Sequence, residues 1–311
     1  MSETQAISDP YASLGLRKNS DGSFTRIAAT VLDSTAACPD PPISTPVLTK
    51  DVPINPHNNT WARLYLPRRQ STPNSKLPLI VFFHGGGFVM ASAASSLFQS
   101  FCSEIALHLD AVMVSVEYRN APEHRLPAAY DDCMEALHWV KSGDEWLTDH
   151  ADFSNCYIMG NSAGGNIALR VGMQAPVKIR GLILHQPFLG GLERTASEIR
   201  LAESEAIPLY MCDILWDLAL PIGANRDHEF SNPTKELSVD NVISEGFRIL
   251  VTGYEGDPLI DRQRELVKML REKGVRVVEH FREGGYHGIE FFDHSFARAL
   301  YPVLNNFILA V

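Results

Sequence analysis

Short apolar runs alternate with amphipathic stretches along most of this chain. Runs rich in Val, Ile and Phe fall at 47–54, 61–66, 79–84, 111–118, 156–160, 180–186, 247–253 and 275–281, each of strand length. Between them, helix-like stretches lie near 96–109, 128–141, 164–174, 210–219, 259–273 and 293–309. Strands alternating with helices predict a mostly parallel central sheet with helices on both faces. The near-continuous apolar run over 77–83 fits a central strand buried on both sides.

Two regions break the rhythm. Residues 1 to about 45 are rich in Ser, Thr, Ala, Pro and Asp, and read as a tail, a lid or a linker. Between about 190 and 240 no convincing strand appears, and the one amphipathic stretch spans Leu209–Leu220. That segment is expected to be an insertion above the sheet, where a cap would shape the substrate pocket. Length alone, 311 residues, allows one large α/β domain or two of ordinary size. One domain over 1–311 with a cap fits the alternation better.

Composition narrows the function classes. Twenty-seven basic against 37 acidic side chains leave a net charge of −10, which argues against a nucleic-acid or anionic-membrane partner. No apolar run reaches the roughly 18 residues of a membrane span, and the polar, acidic start is unlike a signal peptide. Five widely spaced cysteines form no CxxC pair, so neither a zinc site nor a redox motif is suggested. A cytoplasmic protein with reduced thiols is expected. The sequon at Asn58 is then not expected to be glycosylated.

The sharpest local signal is Gly160-Asn-Ser-Ala-Gly164, lying between an expected strand and an expected helix. A serine held on such a tight turn is a nucleophile elbow: the flanking glycines allow close backbone approach, and the helix N-terminus favours developing negative charge. A plain glycine turn is the alternative. The second signal, His84-Gly-Gly-Gly87, directly follows the apolar strand. Its unshielded amides at Gly85, Gly86 and Gly87 suit an oxyanion hole, with the Ala163 amide as a further donor.

A serine nucleophile needs a base, and the base an orienting carboxylate, in the chain order Ser, acid, His for this architecture. The histidines after Ser162 are His185, His228, His280, His287 and His294. His185 and His228 precede every good acid candidate, His280 lies inside a strand and His294 near a helix start. His287, in the loop Gly284-Gly-Tyr-His-Gly288 just beyond a strand, is the expected base. For the acid, Asp257 sits nearest the preceding strand end, with Pro258 stiffening its loop. Asp261 falls on the following helix and is the second choice.

These motifs together resemble plant carboxylesterases of the hormone-sensitive-lipase-like α/β-hydrolase group, which also includes the gibberellin receptors. The resemblance spans nearly the whole chain through His84–Phe88, Tyr118–His124, Leu126–Ala129, Gly160–Gly164, Asp257–Leu259 and Gly285–Gly288. It implies Ser162, Asp257 and His287 as a triad, oxyanion donors from Gly85–Gly87 and Ala163, and a cap partly built by the N-terminal segment. Asn161 stands where the group commonly has an acid, and Asn120 where it usually has Leu. The loop at Met173–Lys178 is short for the group.

The expected activity is hydrolysis of small-molecule carboxylic esters with short acyl groups, such as acetyl esters of plant metabolites, through an acyl-enzyme. No metal or cofactor is expected, and the protein is expected to be a monomer or homodimer. Two alternatives share the scaffold: a hormone receptor, which in this group has lost the histidine, and a non-hydrolytic eliminase or cyclase. Elsewhere, the charged and proline residues of 118–132 read as loop braces, and Met211 and Trp216 as apolar cap or core. Arg262, Arg264, Lys268, Arg271 and Lys273 read as a solvated helix face.

Overall fold

The computed structural model describes residues 10–27, 33–68, 75–234 and 236–310. A two-stranded antiparallel hairpin, β1 (Leu16–Lys18) and β2 (Phe24–Arg26), precedes the main sheet. The sheet is built from β3 (Val47–Asn55), β4 (Thr60–Pro67), β5 (Leu77–Phe83), β6 (Val112–Glu117), β7 (Ala151–Asn161), β8 (Gly181–His185), β9 (Arg248–Tyr254) and β10 (Val277–Arg282). Its eight strands run in the order β10-β9-β8-β7-β5-β6-β4-β3. Pairing is antiparallel for β3 with β4 and β4 with β6, and parallel elsewhere. Each expected strand has its counterpart.

Burial on both faces explains the central runs, whereas the edge strands β3 and β10 are partly exposed. Along β5, Leu79, Val81 and Phe83 enter one apolar cluster, while Ile80 and Phe82 enter a second on the opposite face. The expected long helices are present as α1 (Ser96–Leu109), α2 (Ala128–Ser142), α4 (Ala163–Gly172), α6 (Leu209–Ala219), α8 (Ile260–Glu272) and α9 (His294–Leu309). Three short ones, α3 (Glu145–His150), α5 (Ala196–Arg200) and α7 (Asp240–Glu245), were not legible in the pattern. The chain leaves β5 through α1 to β6 on one side, then returns through α2 to β7 on the other. The loops after β5 and β7 therefore meet at the carboxyl edge where strand order reverses, the place where α/β sheets bind ligands.

The N-terminal hairpin is anchored rather than loose. Leu14 and Leu16 are fully buried, and Arg26 pairs with Glu123 while donating to the carbonyls of Val89 and Ala121. Two three-residue strands carry too little periodicity to be read from sequence. Within 118–132, Arg119 pairs with Asp132, and Arg125 donates to the Asp217 and Leu220 carbonyls of the α6 end. These contacts brace loops, as their sequence suggested.

Arg262 is a correction. It was expected on a solvated face, yet it is buried, pairs with Glu198 through both Nε and Nη2, and also donates to the Glu193 carbonyl. Helical spacing places Arg262 among charged neighbours, and the partner that buries it lies 64 residues away in α5. Lys268 of the same helix is exposed as expected, and Arg271 pairs at the surface with Glu279. Removing one member of a buried pair strands the other, at a cost of about 3–5 kcal/mol. Arg262→Ala is therefore expected to lose stability of that order in urea unfolding, whereas Lys268→Ala should stay within about 0.5 kcal/mol. A loss below 1 kcal/mol at Arg262 would contradict the buried pair.

Candidate active site

Ser162 sits between β7 and α4 with φ 54° and ψ −117°, a left-handed backbone that a non-glycine residue adopts only under constraint. The constraint is visible. A Cβ at Gly160 would lie 1.9 Å from the Gly164 carbonyl, and one at Gly164 would lie 1.9 Å from that of Phe83. Only glycine lets the strand, the turn and the neighbouring β5 approach so closely. Backbone bonds pin the turn: Ser162 N–H donates to His185 O at 3.0 Å, and Phe188 N–H to Ser162 O at 2.8 Å. The serine side chain is thereby presented at the head of α4.

His287 lies in the loop after β10, and Asp257 in the loop after β9. The structure brings them together with the serine: His287 Nε2 is 2.9 Å from Ser162 Oγ, and His287 Nδ1 is 2.8 Å from Asp257 Oδ2. Asp257 is fully buried, and its oxygens accept from Leu259 N–H and from Gln263 Nε2, each at 2.9 Å. Asp261, the second candidate, points elsewhere and accepts from the Ser197 amide at 2.7 Å. His280 stays in β10 and His294 begins α9. Burial disfavours the charged form of His287, but the charge and hydrogen bond of Asp257, with a further contribution from Glu290, outweigh it. The imidazole is held above its ordinary value of 6.5.

The glycine loop borders the serine. A Cβ on Gly85 would come within 3.2 Å of Ser162 Cβ, and one on Gly87 within 2.5 Å of Leu215 in α6. Gly86 and Gly87 have φ of 110° and 60°. Among the described residues, no hydrogen bond occupies the amides of Gly86, Gly87 or Ala163. His84 braces the loop from below: it stacks on Tyr118 at 4.3 Å, and its Nδ1 lies 2.7 Å from Gly85 O. Burial lowers its pKa to about 4, so it stays neutral at pH 7. Trp216 of α6 is buried and stacks on Phe188 at 4.6 Å.

Four contributors were not legible in the sequence. Gln186 ties down the histidine loop, accepting from Gly288 N–H at 2.9 Å and donating to Tyr286 O at 3.1 Å. Gln263 holds Asp257. Behind the serine, the buried Glu290 lies 2.7 Å from His185 Nε2 and accepts from Asn161 Nδ2 at 3.4 Å. His185, set aside in the sequence, joins this network through Thr252 Oγ1 at 2.6 Å. A second acid at position 161 would face Glu290; asparagine there donates instead of repelling. No local motif marks residues whose role is to hold another residue.

The profile of the α/β-hydrolase fold family matches residues 80–291. The chain belongs to that family. Within it, this α/β-hydrolase is 47% identical to carboxylesterase 20 of Arabidopsis thaliana over the whole of both chains. It is 42% identical to a 3-O-acetylpapaveroxine carboxylesterase of Papaver somniferum, covering 97% of this chain and 98% of that one. Among solved structures it is similar to an esterase of Pyrobaculum calidifontis, with a TM-score of 0.73, 26% identity and 86% of each chain covered. The resemblance to plant carboxylesterases, read from scattered motifs, is borne out across the full chain.

Proposed function

We propose that this α/β-hydrolase is a serine carboxylesterase acting on small-molecule carboxylic esters. The observation that carries the reading is the continuous contact from Ser162 Oγ through His287 to Asp257, beside the amides of Gly86, Gly87 and Ala163, which donate no hydrogen bond among the described residues. His287 Nε2 takes the hydroxyl proton as Ser162 Oγ attacks the ester carbonyl. Asp257 holds Nδ1–H and stabilises the imidazolium, while the amides of Gly86, Gly87 and Ala163, with Gly85 shaping the loop, receive the oxyanion. The imidazolium then protonates the departing alkoxide, leaving an acyl-serine and a free alcohol. Water, deprotonated by the same imidazole, releases the carboxylic acid and restores the serine. The names of the relatives support ester hydrolysis, and that of the poppy enzyme supports a short, acetyl-sized acyl group. In this reading the segment 190–240 is the cap, with Leu215 of α6 against the glycine loop.

The direct test is labelling with a fluorophosphonate. One equivalent should attach to Ser162, and p-nitrophenyl acetate hydrolysis should fall in step. Label elsewhere, or turnover surviving full labelling, would reject the assignment.

The pH dependence follows from the raised pKa of His287. The protonated form contributes stability below 6.5, and this is lost as pH rises through the folded value. Activity runs the other way, because the base must be neutral. The acidic limb of kcat/KM is therefore expected above pH 6.5, and Glu290→Gln should move it to lower pH. A wild-type limb at or below 6.5 would show that the Asp257 and Glu290 charges do not outweigh the burial of the imidazole.

A further inference from the structure

A cavity of about 610 Å³ opens against His287, lined by Ser204, Glu205, Ala206, Tyr286, His287 and Phe292. Two of these are aromatic side chains left in water: Tyr286 is 38% exposed and Phe292 70%. Exposed aromatics gathered at the mouth of a cavity mark a surface that binds something apolar or cationic. Among the described residues of the lining, Glu205, itself exposed, is the one carboxylate, and there is neither lysine nor arginine.

The side of the ester that this cavity takes follows from the chemistry. The imidazole must protonate the departing alkoxide, so the space bounded by His287 is the space of the alcohol part. There the alcohol meets two aromatic groups and a carboxylate. Ring faces carry negative charge density and attract cations, and a neighbouring carboxylate adds to the same field. An anionic alcohol part would meet repulsion from Glu205, with no lysine or arginine among the described lining residues to offset it, and the chain's net charge of −10 adds to that bias at longer range.

We propose that this cavity selects esters whose alcohol part carries a cationic nitrogen, a protonated amine or a quaternary ammonium, with Glu205 and Phe292 as specificity-determining residues. The proposal rests on the serine-esterase reading and names the substrate class of that same site.

The test compares acetylcholine with 3,3-dimethylbutyl acetate, which have the same shape and differ in the charge at one atom. Wild type is expected to prefer the cationic ester by on the order of tenfold in kcat/KM at low ionic strength, a ratio that shrinks with added salt. Glu205→Gln and Phe292→Leu should each bring the ratio toward one. Choline should slow phosphonylation of Ser162 in wild type and lose that effect in Glu205→Gln. If the neutral ester is hydrolysed as well as or better than the cationic one, or the ratio survives Glu205→Gln, this proposal fails while the esterase reading stands. If neither ester nor p-nitrophenyl acetate is turned over and Ser162 takes no label, the esterase reading fails and this one with it.

Discussion

Ser162→Ala is expected to lower p-nitrophenyl acetate hydrolysis by a factor of about 10⁴ to 10⁶ while leaving a folded protein. The size follows from what is lost: no other hydroxyl takes the place of Oγ beside His287 Nε2, so the acyl-enzyme cannot form. What remains is whatever rate the proposed oxyanion amides and the binding pocket supply unaided. The fold should tolerate the change because the elbow is held by backbone bonds, Ser162 N–H to His185 O and Phe188 N–H to Ser162 O, which alanine keeps. Among the described residues the hydroxyl makes a single hydrogen bond, to His287. The measurement pairs steady-state hydrolysis with thermal unfolding. Turnover within tenfold of wild type in a folded variant would overthrow the serine mechanism.

Asp257→Asn is expected to cost about 10⁴ in kcat at neutral pH with a much smaller change in KM. Both carboxylate oxygens act as acceptors: Oδ1 from Leu259 N–H, Oδ2 from Gln263 Nε2 and from His287 Nδ1. An amide has one acceptor oxygen, so its NH₂ must face at least one of these donors. The imidazole escapes by changing tautomer, placing its proton on Nε2, where it can no longer accept one from Ser162. Rate should recover partly at high pH, where the serine is less dependent on a base. Asp261→Asn serves as the contrast and should stay within a few-fold, because its carboxylate contacts the Ser197 amide rather than the histidine. Equal losses in the two variants would show that the acid has been assigned wrongly.

The positions of the site were legible because each demands an unusual residue at a local turn. Gly160 and Gly164 are required by carbonyls closer than any Cβ allows, and such needs leave a spaced glycine signature. His287 and Asp257 were found by order and by their place after strands, since parallel sheets gather strand-end loops along one edge. The central strands were legible for a related reason: burial on both faces forces continuous apolar runs.

Glu290, Gln186 and Gln263 left no such trace. Each meets its partner through a side chain in a loop or on a helix, and nothing near it in the chain distinguishes it from any other polar residue. Arg262 shows the same limit more sharply, since the four basic residues of α8 look alike until α5 buries one of them against Glu198.

The amino-acid sequence by itself determined the strand-and-helix alternation, the two glycine-dependent loops and the order of serine, acid and histidine, because these depend on periodicity and backbone sterics within a few residues. Tertiary structure alone decided which arginine is buried, that Glu290 stands behind Asn161, and which side chains border the cavity beside the histidine. Those outcomes depend on charges and contacts between residues up to 129 positions apart, and the pattern along the chain does not carry distance in space.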